Sequence, residues 1–412
     1  VYVITNEDIR RSGATSIPEA LRLAPGLHVP PIDANKWAIT ARGFNSQFAN
    51  KLLVLIDGRT VYTHLFSGVY WDVQDVVLED VDRIEVIRGP GGTLWGANAV
   101  NGVINIITRK PKETQGWLAS GGGGTVERAF GTARYGAALG EHARLRGYVK
   151  YFDRANFDTV LGGEANDEWE KISGGFRFDW NLSKSDSLTF QADIYDGNSD
   201  STLLDVMVPT HDTFAGGNVL TRWRHVFSER SDLSLQFYYD RTERVTEALF
   251  GEDRDTVDVE LQHRFSPLPA HDLVWGAGYR LLNDDLDNDF VSFIPDQRTD
   301  HLVSGFVQDQ ISLLENRVLL TLGSKFEHND YSGFEFQPNF RALWKPHPRH
   351  SLWGAISRAV RTPSRAGHDI KFFYLGTNRL VLGNPNFDSE KLLAYEIGYR
   401  SQLSDKISLD VT

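Results

Sequence analysis

The chain has 412 residues, no cysteine, 12% aromatic residues and a formal charge of −12. It exceeds one ordinary domain, and its acidity argues against a nucleic-acid partner, which needs a basic face. Hydropathy is negative overall, and the longest apolar run, Leu52–Ile56, falls far short of the roughly 18 residues of a membrane helix, so helical spans are excluded but alternating barrel strands are not.

The first 112 residues mix helix and strand signals. Asn6 can cap a short helix running to Arg11, with Glu7 and Asp8 in its first turn, where carboxylates face free backbone N–H groups. Ser16 precedes a second helix, with Pro18 near its start, Leu21 and Leu23 within it and a Pro25-Gly26 stop. Strands are predicted at 38–42, Leu52–Ile56, 83–87 and 103–108, and Asp57-Gly58 is a turn dipeptide directly after the second. Between the last two lies RGPGGTLWGANAVNG, whose Gly89, Gly91, Gly92 and Gly96 permit positive φ and close backbone approach.

From Gly116 the pattern becomes alternation. Leu188, Phe190, Ala192 and Ile194 share one face, while Thr189, Gln191 and Asp193 take the other. Leu233, Leu235, Phe237 and Tyr239 repeat this, as do Val257, Val259, Leu261, His263 and Phe265 against Asp258, Glu260, Gln262 and Arg264. About fifteen such strands fit before Thr412. Short connections at 138–141, 182–185, 228–230, 266–270, 314–316, 345–349 and 402–404 alternate with longer polar ones at 153–170, 197–216, 243–254, 283–299, 329–337 and 360–391. A β-sandwich has no reason to keep that rhythm. A membrane barrel does, with tight periplasmic turns and long extracellular loops. No fixed-length repeat of a propeller is visible.

Residues 83–108, RIEVIRGPGGTLWGANAVNGVINIIT, closely resemble the signature of the plug domain of TonB-dependent outer-membrane receptors, active importers of Gram-negative bacteria. The resemblance extends upstream through residues 8–26, 42–44 and 53–58, and downstream through most of the chain. It implies an α+β plug domain, residues 1–112, inside a transmembrane antiparallel β-barrel, residues 113–412, with about fifteen of the family's 22 strands present. Val1 already lies inside the plug, without signal peptide or TonB box, so pieces are expected to be missing at both ends. The implied function is import of a scarce metal chelate, a ferric siderophore first, powered by TonB with ExbB and ExbD. Cobalamin, haem, a copper chelate or an oligosaccharide are alternative cargoes, and a non-transporting receptor or adhesin is the alternative class. A monomer in contact with outer-membrane lipid and lipopolysaccharide is expected. No GxSxG, HExxH or GxxxxGK sequence supports catalysis, and no cofactor is expected beyond the iron chelate as cargo.

The resemblance also implies that the arginines of two Arg-Gly elements, Arg42 and Arg88, face the barrel wall and pair with a carboxylate matched by Glu396, in YEIGY. A guanidinium inside a barrel needs a fixed carboxylate, and two-pronged geometry sets its orientation. Substrate contacts are expected from plug loops 30–37 and 62–71, which carry Trp37, Tyr62, His64, Phe66, Tyr70 and Trp71. Aromatic rings and an imidazole suit a planar polar chelate, and equally suit a packed cluster that stabilises the loop. No metal site is expected: His64 has no ligand partners at metal spacing, and the acidic runs Glu252, Asp253, Asp255 and Asp284, Asp285, Asp287, Asp289 read as solvated loop charge.

Overall fold

The computed structural model describes residues 1–203, 208–374 and 379–412. Its first helix, Asn6–Ser12, is capped by Thr5, not by Asn6. The Thr5 hydroxyl accepts from the Asp8 N–H, and the Asp8 carboxylate accepts from the Thr5 N–H at 2.9 Å, which satisfies two free donors reciprocally. Asn6 is thereby released to donate to the Val81 carbonyl at 2.7 Å, tying the helix to the sheet. The second helix, Ile17–Leu21, is capped by Ser16 as the sequence suggests, but ends before Leu23.

The plug sheet has the spatial order Tyr2–Thr5, Val81–Arg88, Gly102–Thr108, Leu52–Ile56, Arg59–Thr60. Leu52–Ile56 runs parallel to Gly102–Thr108 and is buried throughout, which explains its unbroken apolar run. Asp57 and Gly58, with φ of 51° and 87°, turn the chain into a two-residue hairpin. The strand expected at 38–42 shrinks to Thr40–Ala41, paired only with Leu27–His28. Within the glycine-rich segment, Gly92–Trp95 forms one helical turn against the barrel. A Cβ on Gly92 would lie 2.3 Å from the Gln337 side-chain oxygen, so any larger residue would push the Gln337 side chain aside.

After the turn Pro111–Glu113, fifteen antiparallel strands form one sheet, from Gly116–Gly122 at one edge to Ile407–Val411 at the other. It curls around the plug, which touches both early and late strands: Lys150 meets Asp75 and Glu396 meets Arg42. Apolar side chains point outward and polar ones inward, the inverse of a soluble sheet. Phe237 and Val259 are exposed beside buried Gln236 and Asp258.

The seven expected short connections all join neighbouring strands, the last at 405–406. Of the expected longer ones, 153–170 stands nearly as read, at 155–168, and others need correction. Strands Ser231–Thr246, Phe250–Phe265 and His271–Asn288 pair almost to their ends, leaving 247–249 and 289–296 as connections, and 330–332 joins Val318–Asn329 to Gly333–His347. The tip at 204–207 lies outside the described residues. Beyond the bilayer both faces of a hairpin meet polar surroundings, so alternation disappears from the sequence while the backbone ladder continues. Residues 362–389 remain a true connection, holding the helix Arg365–Asp369 and two strands: Ile370–Tyr374 pairs with Ser292–Phe293 on one side and with Arg379–Leu382 on the other, in a small apical sheet. Its residues 375–378 lie outside the described residues.

Candidate functional site

The aromatic plug loop 62–71 lies at the plug apex, under the barrel end that carries the connection 362–389. The Arg365 and Ala366 N–H groups donate to the carbonyls of His64 and Leu65 at 3.0 and 2.7 Å. Phe66 packs edge-on to both Phe48 and Tyr70 at 5.0 Å, and Leu65 is buried with Leu286 and Phe293. Tyr62 and Trp71 are buried, while His64, Phe66 and Tyr70 are half-buried. Trp37 is not beside them. It is buried edge-on against Trp169 at 5.9 Å, and its loop is tied down where the Ala34 N–H donates to Asp167. In this conformation the six residues pack. Tyr62 and His64 also line the main lumen cavity. Burial, with Arg280, Arg254 and Arg298 nearby, lowers the His64 pKa to about 3, so the imidazole is neutral.

Of the two Arg-Gly elements, Arg42 meets Glu396 at 2.6 Å. Glu396 points into the lumen while its neighbours Tyr395 and Ile397 are 71% and 69% exposed on the outer face. Arg42, Gly43 and Phe44 all have positive φ, at 59°, 97° and 59°, a costly run for non-glycine residues. Arg88 behaves differently from expectation. Its side chain crosses Gly26, where a Cβ would come within 2.9 Å, and donates to the Pro25 carbonyl at 3.1 Å. The arginine therefore fastens the Pro25-Gly26 turn that follows the second helix. A further anchor was missed: Glu390, on the same strand as Glu396, accepts from Lys51 at 2.6 Å and from Arg361 at 2.5 Å. Its inward position, six residues from Glu396 in an alternating strand, is a readable signal.

A denser set of charges joins the plug segment 72–80 to the wall from Glu127–Leu139 to Ser231–Thr246. Asp72 accepts from Arg244 at 2.5 Å, and Arg244 also reaches Asp212 at 3.3 Å and lies over the Tyr70 ring at 4.3 Å. Asp75 meets Lys150 at 2.7 Å, and Lys171 donates to the Val73 carbonyl at 2.6 Å. Asp80 sits between Arg134 and Arg146 at 3.5 and 3.4 Å, and Arg59 pairs with Asp240. Burial opposes ionisation of Asp75, but Lys150 and Lys171 outweigh it and hold its pKa below the usual carboxylate value. For Asp80 burial prevails over the two longer contacts and pushes the pKa up. Single inward charges on alternating strands mark Lys150, Lys171 and Arg244 as lumen-facing, but nothing in the sequence names their partners.

The acidic runs divide: Asp285 and Asp287 are exposed on a strand end and Asp289 lies in the connection 289–296, whereas Glu252, Asp255 and Asp284 pair along strands with Arg254, Arg241 and Arg365. Among the described residues no His, Asp and Glu cluster could hold a metal ion. Against the wall from Phe250–Phe265 to Val318–Asn329, the plug instead leaves a cavity of about 580 Å³.

This plug-in-barrel arrangement agrees with the families the sequence matches. Residues 1–103 match the TonB-dependent receptor plug domain, and residues 114–412 match the TonB-dependent receptor-like β-barrel. The chain is a TonB-dependent receptor. Among its relatives, the vitamin B12 transporter BtuB of Vibrio vulnificus is 32% identical over 45% of this chain and 32% of its own length. The iron-regulated outer membrane virulence protein of Vibrio cholerae is 24% identical over 100% of this chain and 64% of its own. The chain thus spans less than two thirds of these curated relatives. The siderophore receptor PirA of Pseudomonas aeruginosa superposes with a TM-score of 0.76 at 18% identity, covering 98% of this receptor and 72% of PirA, a likeness of fold. Like its family, the receptor belongs to the Gram-negative outer membrane.

Proposed function

We propose that this receptor imports a scarce metal chelate, a ferric siderophore, across the outer membrane. The observation that carries the reading is the plug held in the lumen by ion pairs to strands on both sides, from Asp75–Lys150 to Arg42–Glu396. Cargo cannot pass a plug so tied without work being done on it. The outer membrane has no ATP and sustains no useful ion gradient, so the work comes from TonB, driven by ExbB and ExbD in the inner membrane. Trp37, Tyr62, His64, Phe66, Tyr70 and Trp71 are proposed to meet the chelate by stacking and hydrogen bonding once the apical cover lifts. Outer-facing aromatic and aliphatic side chains meet lipid, and surface charges at the apex meet lipopolysaccharide, around a monomer.

Iron is favoured because the iron-regulated relative aligns over the whole chain. Cobalamin is the second reading, supported by the higher identity of a vitamin B12 transporter over a shorter stretch. Uptake of radiolabelled ferric siderophores and of cobalamin, by cells lacking their own receptors and with or without TonB, decides between them. TonB-dependent iron uptake is expected. Cobalamin uptake alone, or uptake indifferent to TonB, overturns the proposal.

A further inference from the structure

We infer that cargo passes this receptor along one flank of the plug, through the crevice against strands Phe250–Phe265 to Val318–Asn329, and that a charged cluster around Arg298 and Asp300 closes its outer mouth. The inference rests on the transport reading and adds the route to it.

The cavity of about 580 Å³ is one continuous space. Its wall runs from Arg264 and Asp272, beside the periplasmic connection 266–270, past Ser304 to Asp300 and Tyr331, beside the connection 330–332 at the other end. On the plug side it follows the hairpin of Leu52–Ile56 and Arg59–Thr60 up to Tyr62 and His64. Arg264 and Asp272 pair at the lower rim with 57% and 29% of their side chains exposed, so the lower end is wet. The upper end is shut. Arg298 pairs with Asp300 at 2.6 Å and with Asp369 at 3.1 Å, and lies 4.2 Å from the Tyr331 ring, whose hydroxyl donates to Asp300 at 2.6 Å. Fully buried Arg365 extends the cluster, binding Asp369 and Asp284 through its guanidinium and the His64 carbonyl through its N–H. One set of contacts therefore binds the wall, the connection 362–389 and the plug apex together, at the head of the crevice.

The bonds across the crevice differ from those elsewhere on the plug. Arg280 donates to the Thr60 hydroxyl and Glu327 accepts from the Ala97 N–H, and at the border with the other flank Gln236, on Ser231–Thr246, donates to the Gly58 carbonyl. None of these three is an ion pair between plug and wall, and water can replace each of them. Arg59–Thr60 is also the end strand of the plug sheet, so parting it from the wall breaks the Arg59–Asp240 pair at its border but not the pairing of Val81–Arg88 with Gly102–Thr108. A second cavity of about 520 Å³, beside the first helix, is lined by none of the cluster residues.

These 412 residues hold no cysteine, so thiols introduced here are unique once any cysteine elsewhere in the receptor is replaced by serine. The receptor is reconstituted in planar lipid bilayers and its ionic current is recorded. Arg298→Ala should open a current absent from the parent. A charged methanethiosulfonate should abolish most of that current when Ser304→Cys is also present, and leave it intact with Thr132→Cys, in the second cavity. Heat-modifiable migration reports folding. Should Arg298→Ala misfold, Tyr331→Phe, which loses only the hydroxyl, should give a smaller current with the same Ser304→Cys block. Absence of current in a folded cluster variant, or block through Thr132→Cys instead, overturns the inference. No chelate enters this measurement, so it stands or falls separately from uptake. Uptake that fails while the block is seen would sink the transport reading alone.

Discussion

The plug meets the barrel differently on its two flanks. Toward strands Glu127–Leu139 to Ser231–Thr246 its contacts are ion pairs between buried side chains: Asp72 with Arg244, Asp75 with Lys150, Asp80 with two arginines. Toward Phe250–Phe265 to Val318–Asn329 it leaves a cavity spanned by contacts such as Arg280 to Thr60 and Glu327 to Ala97. Breaking a buried pair from one side strands the other charge, whereas a broken hydrogen bond beside water is quickly replaced. The first flank holds the plug, and the second is where it can part from the wall.

The largest test of this difference is Arg244→Ala, which leaves Asp72 and Asp212 buried without their cation. We expect a loss of about 3–5 kcal/mol, toward the lower end because a lumen is partly wet. It should appear in urea unfolding of the solubilised receptor and as faster entry of large antibiotics into cells. A loss no greater than that of a surface substitution would erase the distinction between the flanks.

Asp75→Asn removes the carboxylate that Lys150 meets at 2.7 Å. A charge-assisted hydrogen bond contributes about 1.5–3 kcal/mol. The folded-state pKa of Asp75 lies below its ordinary 3.8, so its contribution is full above that value and lost as pH falls through the folded value. Denaturation midpoints followed down through this range should decline in the parent more than in Asp75→Asn. Equal declines would show that Asp75 is not the group responsible.

On the hollow flank, Thr60→Val deletes the acceptor of the 3.2 Å bond from Arg280. A cost of about 0.5–1.5 kcal/mol is expected, the ordinary net value of one hydrogen bond. Unfolding that matches Arg244→Ala in size would place the anchoring on the wrong side.

Glu396→Gln should have the smallest effect. Its partner Arg42 is 43% exposed, and a pair open to solvent is worth about 1 kcal/mol or less. The barrel should remain folded, with any change confined to protease sensitivity around the positive-φ run at Arg42–Phe44. A loss as large as that of Arg244→Ala would mean that this exposed pair holds the plug as firmly as the buried ones do.

Much of the wall was readable in advance. Phe237 out and Gln236 in follows from alternation alone, and the turns at 182–185 and 266–270 fall where short polar breaks interrupt it. The paired hairpins reaching into 243–254 and 283–299 were not readable, because a strand polar on both faces lacks the period that identifies it. The cap of the first helix was misplaced by one residue: Thr5 and Asp8 satisfy each other, a geometry that competes closely with Asn6 as cap. The Arg42–Glu396 pairing was suggested by family resemblance, while Arg88, in the same Arg-Gly setting, turned to the Pro25 carbonyl over Gly26. The aromatic loop was visible as a cluster, but its cover by Arg365 and Ala366 was not.

The sequence by itself determined the two-part organisation, the period-two wall, the face each wall residue presents, and the glycines that admit the plug turn at 92–95. These depend on neighbours a few residues apart, where backbone geometry links spacing to direction. Only the tertiary structure decided which lumen charges meet, where the crevice runs and what covers the apex. Asp72 and Arg244 are 172 residues apart, and their meeting depends on the register and twist accumulated over every intervening strand. Each local pattern specifies its own strand and carries no record of that sum.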